Sequence, residues 1–235
     1  MFRSLFAVNR LLVAATLVLS TAAAQAACLD NVVLVHGNTG APSNWNSTVS
    51  TLKSRGYLDA QLYLPNWGSK TNAASNDHGT VNTGVVKASL QSAVANSCTG
   101  MIDVIGHSMG VTLAMKAINE LGYAGRVNSF IAIAGAQHGL NSCGVYPFNV
   151  ASATCGANGL SIDSPLIQSV RNKRYGAKMY SIKSWIDEVV CIGSCYVYGS
   201  HTSNVDLQNT TTDYALGHFG LQAYTTSQQS DLVLN

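Results

Sequence analysis

Ser108, centred in Gly106-His107-Ser108-Met109-Gly110, is the residue whose setting most directly suggests chemistry. The apolar stretch Met101-Ile102-Asp103-Val104-Ile105 runs ahead of it, and Val111, Ala114, Met115 and Ile118 recur behind it at helical spacing. The serine therefore falls at a strand-to-helix turn. A serine flanked by glycines in such a turn is a nucleophile elbow: the glycines admit a strained backbone that lifts the hydroxyl clear of the sheet. The same turn aims the Met109 backbone N–H and the N-terminus of the new helix at the place where an oxyanion would form. The plain alternative is a tight turn in which Ser108 only caps the helix.

Acyl transfer through a serine hydroxyl needs a base to take the proton and a carboxylate to hold the base's tautomer. On an elbow of this kind the chain order is serine, acid, histidine. His36, His78 and His107 precede Ser108, and His138 precedes the acids at plausible strand ends. His201 comes ahead of the last expected strand, at the wrong end of the sheet, whereas His218 follows that strand within Gly217-His218-Phe219-Gly220. Asp187 terminates an expected strand over residues 178–187, so its carboxylate emerges at the sheet edge that carries Ser108, with Glu188 pointing the other way. Asp206 and Asp213 stand as alternative acids. A second oxyanion donor is expected in the loop Asn38-Thr39-Gly40-Ala41-Pro42, with the Asn38 N–H first among its backbone groups; the alternative is an ordinary turn with His36 packed beneath it.

Placing these groups requires strands and helices in alternation, and the chain provides them. Val32-Val33-Leu34-Val35 before His36-Gly37 reads as a strand buried on both faces, followed by a helix over 42–55, a strand over 60–64 and a polar loop to about residue 76. A helix over 81–95 precedes the elbow strand, and the elbow helix runs to about Gly122. Strands follow over 127–134, 178–187 and 204–208, with helices from Ser164-Pro165 to about Arg174 and over 221–234. The prediction is an α/β class with an open, mostly parallel sheet of about six strands, right-handed crossovers and helices on both faces. Residues 140–165 show no clear period and read as an excursion too short for a long lid. Its apolar tip brings Tyr146 and Phe148 forward as candidates for lining an acyl pocket. A Gly-x-Gly-x-x-Gly turn is absent, so a dinucleotide site has no support.

Residues 1–26 read as a signal peptide: basic Arg3 and Arg10, an apolar run from Leu11 to Leu19, and Ala24-Gln25-Ala26 before the expected cleavage. The rest, 27–235, suffices for one domain. With 47% apolar and 10% charged residues and a net charge of +2, no basic stripe points to nucleic acid or an anionic membrane, and the apolar run is too short for a membrane span. A lipoprotein acylated on Cys28 would need an aliphatic residue where Gln25 stands. All six cysteines lie beyond residue 26; in the oxidising, extracellular or periplasmic setting this implies, disulfides are the default. Cys28 and Cys98 each precede a strand at the same sheet end, Cys143 lies across a loop from Cys155, and Cys191 is four residues from Cys195. A zinc site at Cys191/Cys195 is the rival reading, with no second nearby pair to complete it.

Four segments together resemble the secreted bacterial lipases of the small α/β-hydrolase type, the lipase class 2 family that includes the minimal Bacillus lipases. They are Val33-Leu34-Val35-His36-Gly37, Gly106–Gly110, Ser184-Trp185-Ile186-Asp187-Glu188-Val189-Val190 and Leu216-Gly217-His218-Phe219-Gly220-Leu221. The resemblance implies an α/β-hydrolase fold, backbone donors at Asn38 and Met109, and a triad of Ser108, Asp187 and His218. It implies hydrolysis of acylglycerols or other small lipid esters through an acyl-enzyme on Ser108, with no cofactor or metal, and a monomer is expected. A thioesterase or acyltransferase on the same triad is the alternative, and a non-catalytic binding protein on this fold a further one. Two departures matter: Asn38-Thr39-Gly40 stands where the family often has glycine directly after His-Gly-x, and the minimal members lack the cysteine loops at 143–155 and 191–195.

Overall fold

The computed structural model describes residues 28–148 and 150–235; the expected signal peptide lies outside them. Strands β1 (Asn31–Val35), β2 (Leu62–Tyr63), β3 (Ile102–His107) and β4 (Val127–Ile133) open the chain. Two short strands, β5 (Leu140–Val145) and β6 (Ser161–Ile162), pair within the excursion. After β7 (Lys178–Lys183), the hairpin of β8 (Tyr196–Val197) with β9 (Ser200–His201) precedes β10 (Thr210–Asp213). The main sheet is wholly parallel in the order β10-β7-β4-β3-β1-β2, an α/β-hydrolase architecture.

The alternation of side chains along each strand explains how both faces are covered. Val33, Val35, Val104, Phe130 and Met179 pack towards α2 (Thr80–Ala95), α3 (Met109–Leu121) and α4 (Pro165–Val170). Val32, Leu34, Ile105, Ile131 and Ile182 pack with Leu52, Leu221 and Val233 from α1 (Asn46–Ser54), α5 (His218–Tyr224) and α6 (Thr226–Leu234). Strands sandwiched in this way have no polar face, which is why they read as continuous apolar runs.

From β1 the chain steps outward to β2, then crosses back to β3 and proceeds in the opposite direction to β4, β7 and β10. The order therefore reverses between β1 and β3, and in open parallel sheets a crevice forms beyond the strand ends at such a point. His36-Gly37 leaves β1 there and Ser108 leaves β3 there.

Three disulfides join Cys28 to Cys98, Cys143 to Cys155 and Cys191 to Cys195. Cys28, the residue a lipoprotein would acylate, is held in the first of these bonds. Other sequence expectations need correction. The last strand is not 204–208 but Thr210–Asp213, which pairs with β7 as an edge; Val205 and Leu207 imitate strand alternation, yet Leu207 has a φ of +59° and is exposed. The terminal helix is two helices broken at Thr225, and the helix after Ser164 stops at Val170.

Candidate active site

Ser108 takes φ +53° and ψ −131°, a conformation forced by the direct passage from β3 to α3. Its N–H donates to Ile133 O at 2.9 Å, and its carbonyl accepts Val111 N–H at 3.0 Å. The glycines are required by close approach: a Cβ on Gly110 would lie 2.3 Å from His36 O, and one on Gly106 2.8 Å from Val111 Cα. Met109 opens α3, so its N–H belongs to the first turn, whose donors have no acceptor within the helix.

His218 begins α5 and lies within the same cavity lining as Ser108. Its Nδ1 faces both carboxylate oxygens of Asp187, at 3.0 and 2.9 Å, and the two side chains are buried. Asp187 Oδ1 also accepts the N–H groups of Val189 and Val190, each at 2.9 Å. Burial is the largest single influence on this carboxyl and would raise its pKa, but the His218 hydrogen bond and charge with the two N–H donors outweigh it, and the net shift is downward. Asp187 does not end a strand, as the alternation suggested: β7 stops at Lys183, and Ser184 Oγ accepts Ile186 N–H in a turn that delivers the acid.

That turn also reverses the expectation for Glu188. Its Oε2 accepts the His218 backbone N–H at 2.9 Å, and Gly217 is so close that a Cβ there would meet Oε2 at 2.6 Å. Strand alternation had sent Glu188 away, but alternation ends where the strand ends. The alternative acids are engaged elsewhere, Asp213 with Lys183 and Asp206 with His138. His201 is held at Ser184 O, 3.1 Å away; Cys191, Cys195 and His201 cluster together, with both sulfurs already in a disulfide.

Sequence reasoning also passed over His107, which lies between the elbow and α5. Its Nε2 donates to His218 O at 3.2 Å, and the two rings sit 4.7 Å apart. Burial, helped by the neighbouring His218, pulls its pKa down to about 3, so it stays neutral.

The crevice holds a cavity of about 440 Å³, bordered by Gly37, Asn38, Ser108, Val189, His218 and Phe219 among others. Residues 37–40 form a turn closed by Gly40 N–H to Gly37 O at 3.0 Å, with Thr39 at φ +54°. Asn38 holds the second position of that turn, whose N–H the turn's own bond leaves unused. His36 lies beneath, stacked on Trp67 at 5.2 Å, with its carbonyl accepting Trp67 Nε1–H at 3.0 Å. Tyr146 and Phe148 do not border the cavity, and Phe148 is 90% exposed. Ala73 from the polar loop borders the cavity instead.

The fold recurs in solved structures of low sequence identity. Bacillus licheniformis lipase BlEst2 in its mature form matches at 15% identity and a TM-score of 0.63, over 88% of this chain and 93% of that one. Aspergillus fumigatus lipase B matches at 18% identity and 0.61, over 88% of this chain, which spans only 53% of that protein. A hyperthermophilic esterase from the archaeon Pyrobaculum calidifontis matches at 15% and 0.57, over 89% of this chain and 75% of its own. The family model for Lipase (class 2) matches residues 30–231, from the start of the sheet into the last helix, and the chain belongs to that family.

Proposed function

We propose that the protein is a secreted serine hydrolase of carboxylic esters, with Ser108 as nucleophile, His218 as base and Asp187 as its partner. The observation that carries this reading is the buried Asp187–His218 pair, whose imidazole lines the same cavity as the strained Ser108. With Nδ1–H donated to Asp187, the Nε2 of His218 is the nitrogen left to take the serine proton. Ser108 Oγ then attacks the ester carbonyl carbon, and the carbonyl oxygen becomes an oxyanion received by the Asn38 and Met109 N–H groups. Collapse breaks the bond to the alkoxy group, which leaves as an alcohol carrying the proton from His218. Water attacks the acyl-enzyme, giving its proton to His218, and the carboxylic acid departs as Ser108 recovers that proton.

Gly37, Gly40, Ala41 and Ser43 on the lining leave room beside Ser108 for an acyl group. The site is complete within one chain, consistent with a monomer, and three disulfides fit export to an oxidising compartment. The test is labelling with a serine-directed fluorophosphonate, peptide mapping of the adduct, and turnover of a nitrophenyl ester series. A single adduct on Ser108 that abolishes turnover is expected; full labelling elsewhere, or turnover surviving complete modification of Ser108, would sink the assignment.

A further inference from the structure

The polar loop between β2 and α2 meets both segments that supply the proposed oxyanion donors. Asn76, nearly fully buried, donates from Nδ2 to Asn38 Oδ1 at 2.6 Å and to Ser69 O at 2.9 Å, and its Oδ1 accepts Ser69 N–H at 2.7 Å. Asn38 Nδ2 donates to Ala73 O at 3.2 Å, so the Asn38 amide is pinned at both ends by one loop. Two residues further on, buried His78 sits against the first turn of α3. Its Nδ1 and its backbone N–H both meet Asn158 O, at 2.9 and 2.8 Å, and its Nε2 lies 2.8 Å from the Thr112 hydroxyl. From outside, Thr154 Oγ1 donates to Ala73 O and Asn76 O, next to the Cys143–Cys155 link.

We propose that Asn76 is a positioning residue that fixes the orientation of the Asn38 N–H through the Asn38 side chain, with the disulfide-closed excursion as the outer support of its loop. The proposal rests on the ester-hydrolase reading. The physical need lies in the turn itself: Thr39, a β-branched residue, is held at φ +54° on an exposed loop, a conformation that costs energy and has a relaxed alternative. Relaxation at Thr39 rotates the adjoining Asn38–Thr39 peptide and lets the Asn38 backbone shift, which would misdirect its N–H away from the cavity. Two hydrogen bonds on the Asn38 side chain oppose that rotation, and the chain uses them where a glycine would have removed the strain.

The experiment compares Asn76→Ala, Asn38→Ala and the double variant on a nitrophenyl butyrate, with affinity for an alkyl boronic acid that forms a tetrahedral adduct on serine. Each single substitution should lower kcat about 10- to 100-fold, below the loss for removing a donor outright, with KM within threefold. Boronate affinity should fall in parallel, and the double variant should be no worse than the poorer single one because the two side chains act as a unit. Turnover within twofold of the parent in Asn76→Ala, multiplied losses in the double variant, or a kcat loss with unchanged boronate affinity would each overturn the proposal. Should Asn76→Ala fail to fold, Asn38→Ala decides alone, since unchanged kcat there removes the side chain through which Asn76 acts. Failure of the underlying reading is seen separately, as absence of fluorophosphonate labelling at Ser108 in the parent protein.

Discussion

Two histidines of this chain, His218 and His138, each face an aspartate in the interior, and they differ in which ring nitrogen is engaged. At His218 the carboxylate of Asp187 takes Nδ1, and the ring borders the cavity with Ser108. At His138 it is Nε2 that lies 3.3 Å from Asp206 Oδ1 and 3.1 Å from Asn204 O, while Nδ1 is buried and has no partner among the described residues. Asp206 also accepts the Asn172 N–H at 2.8 Å, and its own N–H donates to Gln137 Oε1 at 2.6 Å, so this pair ties the exits of β4 and α4 to the loop before β10. On the proposed reading, the same two residue types thus make a proton-handling pair in one place and a tie between loops in another. What separates them is the position of the free nitrogen, which no composition or motif count expresses.

The comparison can be broken most directly at the histidines. His218→Ala, like Ser108→Ala, should lower turnover about 10⁴- to 10⁶-fold with the folded circular dichroism spectrum retained, whereas His138→Ala should leave turnover per folded molecule within about twofold. Comparable losses at both would erase the distinction. At the acids, Asp187→Asn should cost about 10⁴-fold in kcat because the amide holds the wrong tautomer, and Asp206→Asn should cost almost none.

Acidification sharpens the contrast between carboxylate pairing and bare burial. Burial holds His36 and His78 down to about 4 and His107 to about 3. Histidines of the unfolded chain titrate near about 6.5, so below that pH the unfolded state binds protons that the folded state refuses. Buried Asp103 works the other way: burial raises its carboxyl to about 8, so unfolding releases its proton and offsets one of the three taken up by the histidines. Stability should therefore still fall as pH drops from about 6.5 towards 4, with a net uptake of about two protons on unfolding. Asp187 and Asp206 are shifted downward, each despite burial and chiefly through its histidine; their contributions are full above about 4 and lost only below it. Urea unfolding at a series of pH values measures the slope, and a midpoint independent of pH between 7 and 4.5 would contradict the neutral, buried rings.

Smaller effects follow at the periphery of each pair. Asp206→Asn should lower stability by about 1–3 kcal/mol, seen as a reduced urea midpoint with unchanged activity. Glu188→Gln keeps an acceptor for the His218 N–H but loses the charge at the start of α5, so kcat should fall by less than about tenfold; a loss as large as that of Asp187→Asn would make Glu188 the operative acid.

The elbow was legible because Gly106 and Gly110 are dictated by atoms immediately beside them in the chain and in β1. The assignment of Ser108 rests on that motif and the choice of His218 on chain order, a property the sequence states outright. The acid's neighbour was misread because alternation was carried past Lys183, and the last strand was misplaced because β10 is an edge built of Thr210, Thr211, Thr212 and Asp213, held by main-chain bonds to β7 rather than by apolar side chains. The Asn76–Asn38 contact was invisible, since it joins two polar loops with no periodicity in either.

The Cys28–Cys98 bond closes a ring around β1, α1, β2 and α2. Inside the ring lie the proposed oxyanion turn and Asn76; Ser108, Asp187 and His218 all lie outside it. Residues 70–75 are the ring's exposed tip, the kind of site proteases nick. A cut there opens the ring without releasing a fragment: the severed piece keeps its covalent tether at the foot of the sheet, and only reduction frees it. A proteolytic cut thus becomes an internal break in a single molecule, its two pieces still joined at the foot of the sheet.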